Sequence, residues 1–169
     1  MTFFLTNKQS KALANGSRRA RTPKSPTQKK VAAAFGNGAD EDTIQKNIIM
    51  WAGWVKYSDR KLVEFIHHSP NGGLRSGREG AKFRDMGTKA GYPDLILDIA
   101  RKGYHGLRIE LKRSKGGKVS AEQKQRLQLL NNEGYLAVVC KGYDEALDAI
   151  KDYMGIKKNN SNQWECDLV

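Results

Sequence analysis

The sequence predicts an α/β fold of order αβββαβα, a mixed sheet flanked by helices on both sides. Three observations predict it. A helix-spaced apolar stripe, Ile44, Ile48, Trp51 and Val55, comes before any strong strand signal. Three short apolar runs follow, the last two framing a Gly-containing turn at residues 101–106. Two more helical patterns then alternate with one further apolar run at residues 135–140.

Each element has its own local cause. The first helix starts near Asp40, where acidic residues suit a helix N-terminus. Trp54 lies beside its apolar stripe, and Trp51, Trp54 and Tyr57 serve either core or interface. A strand is expected over residues 62–67, and Asn71-Gly72-Gly73 turns the chain. Residues 74–90, rich in Gly, Arg and Lys, read as a loop with a short helix around residues 81–85. Pro93 cannot donate to a ladder, which suits the entrance of a strand over residues 95–99. Its partner strand covers residues 107–112. Residues 115–118 form a loop, Ser120 caps a helix running to about residue 133, and Gly134 closes it. After the strand at 135–140, Asp144 is expected to cap a last helix. Ala146, Leu147, Ile150 and Met154 face inward there, and Gly155 ends it. Residues 157–169 are polar and expected to fray, with Trp164 the one residue suited to docking.

Length and charge bound the function. At 169 residues there is room for one domain with a proper core. The net charge of +12 suits a polyanionic partner, and it is unevenly placed. Residues 1–38 hold eight Lys or Arg and no Asp or Glu, leaving +4 to the remaining chain. That segment mixes Ser, Thr, Pro and Gly without sustained periodicity and reads as a flexible basic arm. It is either a DNA-holding arm or a dispensable terminus. Phe3-Phe4-Leu5 is too short for a secretory core, and no run approaches membrane-spanning length. Cys140 and Cys166 lack zinc-site spacing, so a reducing, cytoplasmic setting in a bacterium or a phage-infected host is expected. No phosphate-cradling GxxxxGK[ST], no GxSxG, no HExxH and no EF-hand loop occurs, so no nucleotide cofactor is expected.

The chemistry is concentrated between residues 91 and 112. Gly91-Tyr92-Pro93-Asp94-Leu95-Ile96-Leu97 is followed, after the turn, by Leu107-Arg108-Ile109-Glu110-Leu111-Lys112. Alternation places Glu110 and Lys112 on one face of a strand, and Ile109 and Leu111 on the other. Asp94 enters one strand beside the exit of its neighbour. Two carboxylates and one ammonium thus meet at the end of a hairpin. Asp94 and Glu110 suit a hard cation such as Mg²⁺, which takes one or two carboxylates plus waters and substrate phosphate. Lys112 suits the orienting of water or the stabilising of charge on phosphorus. Glu-x-Lys alone is commonly a solvated ion pair and Pro-Asp alone a turn; their combination framing a hairpin favours the functional reading.

Residues 40–153 resemble the VRR-NUC branch of the PD-(D/E)XK nuclease superfamily. The resemblance rests on the ordered set Glu41-x-x-Ile44-Gln45, Ser69-Pro70-Asn71-Gly72-Gly73, Lys82 through Met86-Gly87, Gly91-x-Pro93-Asp94-Leu95, Ile109-Glu110-Leu111-Lys112, Ser120-x-x-Gln123 and Gly134-Tyr135. It implies a restriction-endonuclease-like core over residues 39–156. It also implies Mg²⁺- or Mn²⁺-dependent endonuclease activity on branched or duplex DNA, and a homodimer acting on four-way junctions. The matching Glu41 is implied as a metal ligand, with Asp42 a neighbouring competitor, and the Leu111 carbonyl as a further ligand. Gln123 has two readings: in the box Ser120-Ala121-Glu122-Gln123 it caps the helix, and the resemblance places it at the active site. Asn71, Arg75, Arg78, Lys82, Arg84 and Lys89 form a basic group before the catalytic strand. Arg113, Lys115 and Lys118 form another after it. Both suit phosphates, or solvated loops.

Other candidates are weaker. His67 and His68 point to opposite faces of a strand, so one is expected to be buried or edge-packed, and neither has a second ligand at metal spacing. His105 sits in a turn, where exposure is expected. Asp98 shares the Asp94 face, as an outer ligand or an exposed carboxylate. Two readings of other classes stand beside the nuclease: a non-catalytic DNA-binding module with the same fold, and a basic packaging or scaffolding protein working through its arm.

Overall fold

The first helix, α1 (Glu41–Ala52), begins where the Asp40 side chain accepts the Thr43 amide at 2.7 Å. It buries the expected stripe of Ile44, Ile48 and Trp51, with Val55 just beyond. This computed structural model describes residues 39–69 and 77–166. The segment 1–38 and the Asn71-Gly72-Gly73 turn lie outside the described residues.

The main sheet is built from β3 (Ile66–His68), β4 (Leu95–Leu97), β5 (Leu107–Lys112) and β6 (Leu136–Lys141), in that spatial order. The first three run antiparallel, and β6 lies parallel to β5. A parallel neighbour needs a crossover, supplied by α3 (Ala121–Asn132). Leu95, Leu97, Leu107, Ile109 and Leu111 all point to one face, where α1 and α4 (Gly142–Met154) cover them with Ile44, Ile48, Ala146 and Ile150. The opposite face carries Arg108, Glu110 and Lys112. Part of it is closed by α3, whose Leu127 and Leu130 pack with Ala137, Tyr92 and Tyr135.

Several elements depart from expectation, each for a local reason. Residues 62–67 are not a continuous strand: Leu62–Glu64 winds into a 3-10 turn, because the Glu64 carboxylate accepts the Lys61 amide at 3.0 Å. The strand expected over 95–99 stops at Leu97, and the Asp98 amide bonds instead to the Phe65 carbonyl at 3.1 Å. α4 starts at Gly142 rather than behind an Asp144 cap, since Glu145 reaches back to the Lys141 amide at 2.7 Å. The helix expected at 81–85 is longer, α2 (Gly77–Asp85). Gly134 and Gly155 end α3 and α4 with positive φ, as expected.

The C-terminal segment does not fray where it is described. β7 (Ile156–Lys158) and β8 (Trp164–Cys166) pair antiparallel, and Asn159 ties the turn by accepting the Ser161 and Gln163 amides at 3.0 Å. A second sheet forms when β8 pairs in parallel with β1 (Lys56–Tyr57), itself hairpinned to β2 (Arg60–Lys61). Trp164 docks edge-on against Trp51 at 6.3 Å, with Lys151 and Lys158 over its ring. No helix of the described residues is long and apolar enough to cross a membrane.

One buried hydroxyl joins the main sheet to α4. Tyr153 donates to the Ile99 carbonyl at 2.7 Å and accepts the Arg101 amide at 3.1 Å. Tyr153→Phe takes the hydroxyl from the Ile99 carbonyl, while the Arg101 amide keeps the Tyr104 carbonyl at 3.1 Å, and is expected to lower stability by about 1–3 kcal/mol. Urea unfolding checks this, and an unchanged midpoint would show that the hydroxyl is dispensable.

Candidate active site

The central strand β5 is buried at all six positions, including three charged ones. Apolar packing explains Leu107, Ile109 and Leu111. The charged residues need partners, because a buried charge is tolerated only when paired and hydrogen-bonded.

Glu110 and Lys112 partner each other. The Lys112 Nζ donates to Glu110 Oε1 at 2.5 Å and to the Leu111 carbonyl at 2.8 Å. The side chains are 6% and 1% exposed for Lys112 and Glu110. Gln123 Nε2 also donates to Glu110 Oε1, while its Oε1 accepts the Ser120 amide at 2.9 Å. The two readings of Gln123 are therefore both realised, one by each end of its amide. The capping bond orients the carboxamide so that its NH₂ can only donate inward.

Asp94 sits at the entrance of β4, its Oδ2 accepting the Leu111 amide at 2.8 Å. That bond ties the Pro93-Asp94 turn to β5. Behind the turn, Gly91 adopts φ +70, and a Cβ there would stand 2.7 Å from the Glu122 carbonyl carbon and 2.8 Å from the Gln123 amide. Only glycine lets the loop approach the first turn of α3 so closely. Glu41, at the start of α1, accepts the Arg113 amide at 3.3 Å and lies 3.9 Å from Lys112 Nζ. Asp42 is exposed and reaches none of these groups, so Glu41 is the acidic residue of α1 at this site.

Electrostatics follow from this packing. Burial raises the Glu110 carboxyl to a pKa of about 7; Lys112 opposes the shift, and Asp94 and Glu41 reinforce it. Burial also pushes Asp94 above the usual carboxylate range, against the pull of the Leu111 amide and Lys112.

Whether these residues suit a hard cation can be judged from their unused valences. Glu110 Oε2 is buried and takes no hydrogen bond. Such an atom is costly unless something positive meets it. Among the described residues no group of three His, Cys, Asp or Glu forms an ion cage. Asp94, Glu110 and the Leu111 carbonyl are an all-oxygen set of the kind that fits Mg²⁺ or Mn²⁺, which keep several waters.

The remaining candidates divide. Arg113, Lys115 and Lys118 are exposed on the loop leaving Lys112, next to the site. Lys82, Arg84 and Lys89 are exposed on α2 and the stretch before Asp94. Asn71, Arg75 and the Arg78 side chain lie outside the described residues. Neither His67 nor His68 is buried: both lie on β3, an edge strand, so of the two expected placements it is the edge that is found. His68 Nδ1 lies 3.2 Å from the Asp94 carbonyl. His105 is exposed as expected, its ring edge-on to Tyr135. Asp98 is an exposed carboxylate that accepts from Arg108 at 3.0 Å. Arg108 also bonds the Leu97 and Leu107 carbonyls and lies 4.4 Å over the Tyr135 ring. Sequence reasoning missed Arg108, although strand alternation from Glu110 and Lys112 places it on their face.

Comparison with known proteins places this arrangement. The family model of the VRR-NUC domain matches residues 39–144. A solved structure described as a VRR-NUC domain protein is 46% identical, with a TM-score of 0.63, covering 70% of this chain and 90% of that one. No curated protein matches the chain.

The raised pKa makes stability pH-dependent. Because the folded value of about 7 lies above the ordinary 4.5, the folded state favours the proton. The stabilisation from this group is complete at low pH and is lost as pH rises through about 7. Metal-free protein is therefore expected to lose roughly 1–3 kcal/mol through Glu110 between about pH 5 and about pH 8. Glu110→Gln should flatten that slope. Urea midpoints of both proteins in chelator test this, and parallel pH profiles would remove Glu110 as the source.

Proposed function

The chain belongs to the VRR-NUC domain family, a nuclease-fold module of DNA processing, and we propose that it is a Mg²⁺- or Mn²⁺-dependent DNA endonuclease. The observation that carries this reading is the buried Glu110, with one oxygen unpaired and the other held by Lys112 and Gln123, beside Asp94.

Asp94 and Glu110 would hold the ion, with the Leu111 carbonyl as a further oxygen donor and Glu41 at the rim. Bound there, Mg²⁺ or Mn²⁺ supplies a Lewis acid for a phosphoryl oxygen and renders water more acidic. The protein's own groups do the rest. Gln123 fixes the Glu110 carboxylate. Lys112 presents an ammonium able to orient the attacking water and to offset charge growing on the phosphate as a bridging P–O bond breaks. Arg113, Lys115 and Lys118 line the exit of β5, where they can meet the phosphates of the bound strand.

The substrate we favour is branched DNA such as a four-way junction, cut by a homodimer. A junction is resolved by two matched incisions, and a two-fold pair of sites delivers them symmetrically. The +12 charge suits the dense phosphates of such a substrate.

The deciding experiment offers the purified protein a four-way junction, a flap, linear duplex and single strand at low salt with Mg²⁺ or Mn²⁺. Paired symmetric cuts confined to the junction are expected. Asp94→Ala and Lys112→Ala should each lower the cleavage rate by roughly 10²–10⁴-fold. Equal cutting of all substrates would retain the nuclease and discard the junction. Tight binding without any cutting would instead establish a non-catalytic DNA-binding module.

A further inference from the structure

We propose that Lys112 is an internal competitor of the divalent ion, and that it sets how tightly that ion binds. Its ammonium lies 2.5 Å from Glu110 Oε1, 2.8 Å from the Leu111 carbonyl oxygen and 3.9 Å from Glu41 Oε2. The Leu111 oxygen is one that a metal ion would use, and Oε1 belongs to the carboxylate whose other oxygen, Oε2, is left open to such an ion. The third belongs to the remaining acidic residue of the site. The group is 6% exposed, so its charge is spent on protein oxygens rather than on solvent or substrate.

The physics is a contest between two cations for one set of oxygens. Without a metal ion, Asp94 and Glu41 push up the proton affinity of Glu110, and Glu41 that of Asp94. A buried carboxylate in that position needs a counter-charge, and among the described residues Lys112 supplies it. It is a compact point charge with three donors on a flexible stem, which lets it sit among oxygens as a small metal ion does. When a divalent ion takes Glu110 and Leu111, a positive charge a few ångströms away is repelled, in surroundings where screening is weak. The ammonium is then released from the carboxylates and becomes available to a phosphate. Lys112 so holds the acidic site together before loading, and its departure accompanies loading.

This inference rests on the reading of Asp94 and Glu110 as ion ligands, and it predicts the reverse of what a metal-supporting residue would do. Calorimetric titration of the full chain with Mn²⁺ compares the natural protein with Lys112→Met and with Lys102→Met, a charge loss in the distant 101–106 turn. Lys112→Met should bind Mn²⁺ about tenfold more tightly or better, while Lys102→Met binds as the natural protein does. Equal or weaker binding by Lys112→Met overturns the proposal and leaves the functional reading standing. Absence of Mn²⁺ binding by the natural protein fails that reading and this inference together. Should Lys112→Met not fold, acylation of lysines in the natural protein, read by mass spectrometry, decides. Faster labelling of Lys112 with Mn²⁺ supports the proposal, and an unchanged rate overturns it.

Discussion

A carboxylate and an ammonium are buried side by side in the middle of the main sheet, and much of the fold serves to make that tolerable. Glu110 and Lys112 lie on the central strand β5, between a parallel neighbour and an antiparallel one. Neither charge can reach bulk water, so every further hydrogen bond must come from the protein. α3 provides Gln123 and the β5 backbone provides the Leu111 carbonyl, while Glu41 of α1 adds a charge 3.9 Å from the ammonium. An ion pair so placed is weak evidence for stability, because desolvation opposes the attraction. It is better understood as a site held ready, with one Glu110 oxygen still unsatisfied.

The same strand divides two kinds of packing. Its Leu107, Ile109 and Leu111 side is a continuous apolar core shared with α1 and α4. Its other side is polar along its length: Arg108 is bound to Asp98 and two carbonyls at one end, and Lys112 to Glu110 and a carbonyl at the other. The family match ends at residue 144, within the first turn of α4. Yet Ile150, Tyr153 and Met154, beyond it, are among the most buried residues of the chain. The polar face of β5 thus lies within the family match, while part of the support beneath it does not.

What could be read from the residues follows the strength of their local signals. The Glu-x-Lys strand and the α1 stripe were legible because period-2 and period-3.6 patterns ran long enough, the Ser120 cap because Ser-x-x-Gln is a local signature, and the Pro-Asp strand because an apolar run follows a proline. The second sheet was not legible, since β1 and β2 have two residues each and β7 and β8 three. Strands so short show no alternation, and only tertiary pairing reveals them. The start of α4 was misplaced because Glu145 caps from inside the helix, a contact no neighbouring residue type signals. Gln123 was legible as a cap and as a site residue, but not as both at once, because that depends on where each end of one amide points.

The pairing of β1 with β8 bears on the order in which this protein can assemble. Lys56 and Glu165 form an ion pair at 3.2 Å across 109 residues of chain. During synthesis, β1 emerges early and has no partner strand but β2 until the last described residues appear. Contacts so distant in sequence slow folding, since a long loop must close before they form. The meander β3-β4-β5 and its helices can gather first, from local neighbours. The outer sheet then closes last, as a latch that cannot fasten before residues 164–166 reach β1.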